Sequence, residues 1–314
     1  VLLSDPSGDA AAKRKVFRRD ALRLTDIALP QVLWIEAEQE ARLLDAETDL
    51  FPAIEWDAMD VEAFADGLPK GAHAAATQIV RLRTGEEAGF ETEDAVAEQA
   101  AISFDAAHAV RMITDIMPNP YVARGLIQRL LDRLAIREFD AELIGRMSGF
   151  IIEELRKALD RWREGQAAAI FRDWLKTGQI EFRIRGDAGD WIAPDHIWTT
   201  AAETASQLPS KTGGALERSL FLPVYASELN PDETKVAVYL DAESAIKWWH
   251  RNGTDRGSYA LRGWRRGNVY PDFVFAALKD DSGERIVAME SKGDQLAGNL
   301  DTEYKRQLLE TLTG

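Results

Sequence analysis

The stretch YPDFVFAALKDDSGERIVAMESKG, from Tyr270 to Gly293, constrains the fold more than any other part of this chain. An aromatic and β-branched run is followed by the polar turn KDDSG and then by the apolar run RIVAM, and these local signals predict a β-hairpin. Because strand side chains alternate between faces, Glu290 and Lys292 should project from the same face. The pattern therefore places a carboxylate and an amine beside Asp272 at one end of the hairpin.

The residue types at this hairpin end are those of a magnesium-dependent nuclease site. Mg²⁺ takes oxygen ligands and keeps several waters, so Asp272 and Glu290 together with substrate phosphate oxygens would make a sufficient set of ligands. Bound metal lowers the pKa of its water and neutralises charge on the attacked phosphorus, and Lys292 adds a positive charge there. The alternative is an ordinary solvated hairpin end, which has the same composition.

A further acid stands at the start of a predicted helix. Asn230 is a good N-cap, Pro231 suits the first helical position, and Glu233 occupies the third. Glu233 shares a helix face with Val236, Ala237 and Leu240, so we expect it to point toward the core. It either closes a capping box with Asn230 or reaches the metal site as a third acid, and the two roles are compatible.

At this point the order of segments resembles a known family. From about residue 217 to the end, the chain reads LERSLFLPVYASELNPDETKVAVYLD, IKWWHRN, GWRRGNVYPDF, MESKG and LDTEYKRQLLETL. This is similar to the C-terminal nuclease domain of the restriction subunit of type III restriction enzymes, which are helicase–nuclease fusions. The resemblance implies a PD-(D/E)xK restriction-endonuclease-like core, a mixed sheet flanked by helices, that cuts double-stranded DNA with Mg²⁺.

The resemblance also implies roles for individual residues. Asp272, Glu290 and Lys292 match the motif positions, and Glu233 looks like the acid on the first helix of that core. Many members of the wider superfamily carry a glutamine-and-tyrosine helix after the last motif. Here the corresponding residues come in another order, and their role stays open: Tyr304, Lys305 and Gln307.

Charge is unevenly distributed along the chain, whose net charge is −15. Between Glu36 and Asp66 eleven acids face a single base, whereas from Lys247 to Asn268 six bases face a single acid. This basic cluster precedes the proposed site and contains aromatic residues, so it is a candidate DNA-contacting surface. The alternative is a solvated charge run with at least one of the adjacent tryptophans in the core. The candidate DNA-binding residues are Trp249, His250, Arg251, Arg262, Arg265 and Arg266.

The secondary-structure pattern is different in the part of the chain that precedes the basic cluster and the hairpin. Residues 22–35 are β-like, and helical patterns dominate from about Val61 to Lys176, interrupted at Pro118-Asn119-Pro120. The position of Gly178 predicts a C-cap, and IEFRIR and DWIAPDHIWTT are typical of strands. The apolar stripes of the helical span predict a helix-bundle core.

Composition limits the remaining possibilities. The chain has no cysteine, which excludes disulfides and thiolate metal sites, and no apolar run reaches the about 18 residues of a membrane span. No secretory pattern is present, so a cytoplasmic protein is expected. There is no phosphate-binding P-loop, and ATP would act only through a helicase motor outside this sequence. The first residue, Val1, suggests a fragment of a longer chain whose missing N-terminal part holds that motor.

The sequence therefore predicts an α+β protein in three parts. These are a β-rich segment at 1–60, read as the tail of a preceding domain, a mainly helical coupling module ending in strands at 61–205, and a PD-(D/E)xK nuclease domain at 215–314. The resemblance implies a methyltransferase subunit as partner. Two alternatives stay open: a non-catalytic DNA-binding or assembly module on a nuclease fold, and the nuclease of a DNA-repair or other defence helicase.

Overall fold

The structure is a computed structural model. It describes residues 13–23, 25–36, 40–70, 78–82, 90–94, 103–184, 191–255, 257–279, 283–290 and 300–313. Within these ranges the α-helices are α1 (Val61–Gly67), α2 (Ala106–Ile113), α3 (Pro120–Ile136), α4 (Ala141–Arg146), α5 (Ser148–Thr177), α6 (Pro231–Ala242) and α7 (Leu300–Thr313). None of the helices in the described ranges is long and apolar enough to cross a bilayer.

The strands are short and pair antiparallel in small sheets. In the first half they are β1 (Arg14–Arg18), β2 (Ala28–Leu29), β3 (Gln31–Ile35), β4 (Ala41–Leu43), β5 (Gln78–Leu82) and β6 (Phe90–Asp94). In the second half they are β7 (Ile180–Arg183), β8 (Trp191–Ile192), β9 (His196–Thr199), β10 (Phe221–Leu222), β11 (Ile246–Arg251), β12 (Leu261–Arg262), β13 (Asn268–Val269), β14 (Phe273–Lys279) and β15 (Gly283–Met289). The α+β class expected from the sequence is confirmed.

The chain divides into two compact units. Unit 1 comprises Val1–Asp49 and Phe171–Gly314, and unit 2 comprises Leu50–Ile170, so the boundary falls within α5. The predicted three-part division stays a prediction. The strands β5 and β6 form a hairpin within the span for which the sequence pattern indicated helices.

Unit 2 is held together by the apolar stripes of its helices. Ile113 of α2, Leu126 and Leu130 of α3, and Leu155 of α5 are buried in one cluster. Asn119 caps α3 through bonds from the backbone N–H groups of the first turn, and Pro120 takes the first helical position. The interruption that the sequence predicts at Pro118-Asn119-Pro120 is therefore the start of α3.

In unit 1, α5 ends next to Gly178, the residue that the sequence predicts as its C-cap. Gly178 follows Thr177 with a φ of +78°, a left-handed conformation that glycine adopts without a Cβ clash. The chain then enters β7, which pairs with β3.

Two three-stranded sheets of unit 1 are joined through a short connecting segment. One has the order β10-β1-β9 and the other the order β11-β14-β15. Residues 218–220 connect them, because they run alongside β11 and lead into β10. Leu220 N donates to Trp249 O at 2.7 Å, and Trp249 N donates to Arg218 O at 2.9 Å.

The predicted hairpin is confirmed. β14 and β15 pair in continuous register from Phe273 opposite Met289 to Lys279 opposite Gly283. The α6 helix contributes Ala237 and Leu240 to an apolar cluster with Trp249 and Phe273. Leu208, which lies between the predicted parts 61–205 and 215–314, belongs to the same cluster.

Candidate functional site

The first turn of α6 fixes the position of Glu233. Asn230 Oδ1 accepts from Glu233 N at 2.9 Å, and Glu233 Oε2 accepts from Asn230 N at 2.9 Å. This reciprocal pair is a capping box, which satisfies two backbone donors at the helix start. Glu233 is only 6% exposed, so the expected core-facing orientation is confirmed as well.

The second oxygen of Glu233 ties α6 to the sheet. Its Oε1 lies 3.1 Å from Nη2 of Arg251, the last residue of β11. Arg251 is paired with Phe273, the first residue of β14. The ion pair therefore fixes the start of α6 to the end of the sheet where β14 begins. A role for Glu233 as a third acid at a metal site stays a prediction.

Asp272 and Glu290 lie at neighbouring ends of paired strands. Asp272 immediately precedes Phe273, Glu290 immediately follows Met289, and Phe273 and Met289 are partners in the register. Asn252 N donates to Asp272 O at 2.8 Å, which continues the β11–β14 pairing to this point. The two acids predicted to bind metal are thus brought to one end of the sheet.

Asn252 supports this end of the sheet, although the sequence pattern predicted no role for it. Its side chain is buried, donates to Tyr259 O at 2.8 Å and Pro271 O at 3.0 Å, and accepts from Tyr259 N at 3.0 Å. These hydrogen bonds hold the backbone at Pro271, next to Asp272, against the loop that follows β11. The available signal was Asn-Gly directly after a strand, which is typical of a structured turn.

Lys305 of α7 supplies a cation beside Glu290. Its Nζ lies 2.7 Å from Glu290 Oε1, and the two side chains are 28% and 19% exposed. The sequence showed Lys305 near the expected position of a functional helix without giving it a role. Lys292 and the segment around it lie outside the described residues, so its predicted place beside Asp272 stays a prediction.

α7 is held close to the chain before β13. Tyr304 is buried, its ring meets that of Trp264 edge-on with centroids 5.0 Å apart, and its hydroxyl accepts from Arg265 N at 3.2 Å. A Cβ placed on Gly263 would lie 2.9 Å from both terminal methyl groups of Leu308. Glycine at this position therefore permits the close approach of α7. Gln307 donates to Glu303 within the same helix.

The donor set of Asp272 and Glu290 fits a hard cation. Both are carboxylates, which Mg²⁺ prefers, and one or two of them with water and substrate phosphate are sufficient. In the described ranges, the structure brings no three His, Asp or Glu residues together in a way that could hold a metal ion. If these two carboxylates hold Mg²⁺, water and substrate oxygens would complete its ligand shell.

Several bases of the predicted DNA-contacting cluster are engaged by acids of the same unit. Lys247 forms an ion pair with Glu284. Arg266 Nε lies 2.5 Å from Glu47 Oε1. Since these partners neutralise positive charge locally, the cluster is less basic in space than in sequence.

Two further arginines of the cluster also have internal contacts. Arg262 donates to Leu44 O at 2.8 Å and lies 3.5 Å from Asp45. The guanidinium of Arg265 lies 4.5 Å from the ring centroid of Tyr304. Both arginines therefore help to hold unit 1 together.

The structure corrects the roles suggested for Trp249 and His250. Trp249 is fully buried and donates from Nε1 to Asp241 Oδ1 at 3.1 Å, so its ring offers no face to a base. His250 is buried edge-on against Phe221, with ring centroids 5.0 Å apart. Burial, together with the charge of Arg251, lowers the pKa of His250 to about 3, which makes it a neutral core residue. Neither side chain is exposed enough to contact DNA.

The described residues thus bring Asp272, Glu290 and Lys305 to one end of the β11-β14-β15 sheet, with Glu233 and Arg251 at the start of α6. Comparison of the chain with protein-family models, with curated proteins and with solved structures gave no match.

Proposed function

We propose that residues 215–314 form a Mg²⁺-dependent DNA endonuclease domain of the kind found in the restriction subunit of type III restriction enzymes. The observation that carries this proposal is the register of β14 and β15, which sets Asp272 beside Glu290 at one end of the hairpin. A carboxylate pair at neighbouring strand ends is the minimum that the chemistry requires.

The order of elements supports the proposal. A helix that begins with a buried acid, α6, is followed by the three antiparallel strands β11, β14 and β15 and by the helix α7. The family resemblance implies such a core, with an acid on its first helix. Glu233 occupies that position and is buried.

Each side chain has a distinct task under this proposal. Asp272 and Glu290 would hold Mg²⁺, which supplies an activated water and offsets charge on the attacked phosphate. Lys292 places a positive charge near the same phosphate. Lys305 is ion-paired with Glu290 and would compete with the metal for this carboxylate, and Arg251 with Glu233 fixes the strand end that carries Asp272.

The wider setting is also part of the proposal. Double-stranded DNA is the substrate, a helicase motor supplies ATP hydrolysis, a methyltransferase subunit supplies sequence recognition, and the assembly is cytoplasmic. These features come from the resemblance of residues 217–314 to the type III family. A repair or other defence helicase with the same nuclease would differ in its partner.

One observation favours a second candidate, a non-catalytic DNA-binding or assembly module. Glu290 and Glu233 are each in an ion pair with a cation of the chain, and Lys247 and Arg266 are each paired with an acid. Such pairing also suits a domain that only stabilises an assembly. The complete set of Asp272, Glu290 and Lys292 favours the enzyme over this candidate.

Cleavage of plasmid DNA tests the proposal. The chain, together with its motor and any co-purifying partner, should cut in Mg²⁺ and fail to cut in EDTA. The substitutions Asp272→Asn, Glu290→Gln and Lys292→Ala should each abolish cutting, because each removes a ligand or the charge at the phosphate.

A matched control is Glu284→Gln, which removes a carboxylate from the other end of β15. It should cut like the wild type, since Glu284 pairs with Lys247 at an exposed position. Binding of DNA without cutting in any divalent metal would favour the assembly module. Cutting that survives all three substitutions would place the active site elsewhere.

A further inference from the structure

The β10-β1-β9 sheet exposes large aromatic side chains on one face. Phe17 of β1 is 50% exposed and Trp198 of β9 is 52% exposed, whereas the alternating neighbours Val16 and Thr199 are 3% exposed. Large apolar side chains are costly to leave in water, so adjacent exposed rings on one sheet face indicate a binding surface.

The rings form a continuous row. Phe17 is paired with His196 across the sheet, and their ring centroids lie 6.0 Å apart. His196 and Trp198 meet edge-on with centroids 5.5 Å apart. We call Phe17, His196 and Trp198 the aromatic row. It spans two neighbouring strands of the sheet.

Positive charge lies beside the aromatic row. Lys15 is paired with Trp198, and its Nζ lies 5.5 Å from the ring centroid, within cation–π range. Lys13 is exposed two residues before Lys15. Within the described ranges, neither lysine forms an ion pair with a carboxylate.

The local sequence is basic in an acidic chain. Residues 13–23 contain six bases and one acid, although the chain as a whole carries −15. Arg14, Arg18 and Arg19 donate to backbone carbonyls of unit 1. The acid, Asp20, lies 3.0 Å from Arg23. Lys13 and Lys15 are therefore the charges that this strand offers to a ligand.

We propose that this face binds single-stranded nucleic acid, with bases stacked on Phe17 and Trp198 and phosphates near Lys13 and Lys15. Exposed aromatic rings on a sheet, flanked by cations, are the arrangement that stacks unpaired bases without reading their sequence. Duplex DNA suits this face poorly, since its bases are stacked on one another. The lysines would also attract an acidic peptide, but the exposed rings of Phe17 and Trp198 offer stacking surfaces that favour the bases of a single strand.

This surface is separate from the candidate nuclease site. It uses β1 and β9, and none of its residues belongs to the β11-β14-β15 sheet. The inference therefore stands whether or not the chain cuts DNA.

Binding of a labelled oligo-dT strand, followed by fluorescence anisotropy in EDTA, tests the inference. The strand should be longer than the about 4–16 nucleotides that one such surface covers. Trp198→Ala and Phe17→Ala should each weaken binding by about fivefold or more, because each removes a stacking partner. EDTA keeps the result independent of metal binding and cleavage.

Two further substitutions test the contributions of the positive charge and of the aromatic ring. Lys15→Ala should weaken binding and reduce the slope of log affinity against log salt by about 0.7, the value for one phosphate contact on a single strand. Trp198→Phe should retain most of the affinity, because a ring remains at the position.

The control is Tyr239→Ala, which removes a ring that is 62% exposed on α6 and should leave affinity unchanged. If Phe17→Ala or Trp198→Ala lowers the melting temperature, the binding affinity of Lys15→Ala becomes the deciding measurement. Lys15 is exposed, so its replacement leaves the core intact. Two results would overturn the inference. One is no binding of the oligonucleotide by the wild type, and the other is equal binding by the wild type, Trp198→Ala and Lys15→Ala.

Discussion

Lys305 Nζ lies 2.7 Å from Glu290 Oε1, so α7 places a cation directly on one of the two acids proposed to hold metal. Both side chains are mostly shielded from water, at 28% and 19% exposed, which strengthens the interaction relative to a surface pair. An ammonium group at this distance competes with any metal ion for the carboxylate.

Replacement of Lys305 with Met should therefore tighten metal binding. We expect the Mg²⁺ concentration that gives half of the maximal rise in melting temperature to fall by about threefold to tenfold, after allowance for solvent screening. Thermal melting across a Mg²⁺ series measures this. Arg306→Met, on the exposed side of the same helix, is the control. Weaker binding in Lys305→Met would show instead that the lysine orients Glu290 for the metal.

Gly263 should be intolerant of any side chain. A Cβ there would lie 2.9 Å from the terminal methyl groups of Leu308, which is fully buried, so α7 would have to move. Gly263→Ala should lower the free energy of unfolding by about 1–3 kcal/mol, the usual cost of overpacking. Gly257→Ala is the matched control, because a Cβ there meets no atom within 4 Å. Equal urea midpoints for the two variants would refute the close approach of α7.

Asp241 should be essential for the stability of unit 1. Its buried carboxylate accepts from Arg218 N at 2.7 Å, from Glu217 N at 2.9 Å and from Trp249 Nε1 at 3.1 Å. Asp241→Asn turns one acceptor into a donor that faces these N–H groups, and unfolding should become easier by about 2 kcal/mol or more. Chemical denaturation measures the loss, and Glu284→Gln, from an exposed pair, should cost less than about 1 kcal/mol. A similar loss in both would contradict the role of Asp241.

His250 should make the protein sensitive to acid. Its pKa in the folded state is lowered from the usual 6.5 to about 3 by burial and by Arg251, so the unfolded state binds the proton between these values. The stability due to neutral His250 is complete above pH about 6.5 and is lost as the pH falls toward 3, by up to about 1.4 kcal/mol per pH unit. The difference in unfolding free energy between the wild type and His250→Gln should shrink as the pH is lowered. Parallel curves would show that His250 is protonated equally in both states.

The hairpin and the helix start could be predicted because their signals are local. Alternation and a turn fix β14 and β15, and Asn230-Pro231 fixes the first turn of α6. The burial of Glu233 followed from its helix face. These features depend on residues only a few positions apart in the chain.

Contacts between distant residues had no such signal. β1 pairs with β9 and β10, and Lys305 reaches Glu290 from another element. Their place in a basic run made Trp249 and His250 candidates for DNA contact. Both faces of β11 are covered, so period-two alternation does not reveal that these residues are buried. The acids that pair with the basic cluster come from residues 45–47 and 284, far away in sequence.

Titration calorimetry with Mn²⁺, a substitute for Mg²⁺, tests most directly whether Asp272 and Glu290 hold one metal ion. Asp272→Asn and Glu290→Gln should each weaken binding by about tenfold or more, while Glu284→Gln should bind like the wild type. The double variant should lose less binding free energy for Mn²⁺ than the two single variants lose together, because both residues bind the same ion. Unchanged Mn²⁺ affinity in both single variants would contradict the proposed metal site and the nuclease function built on it.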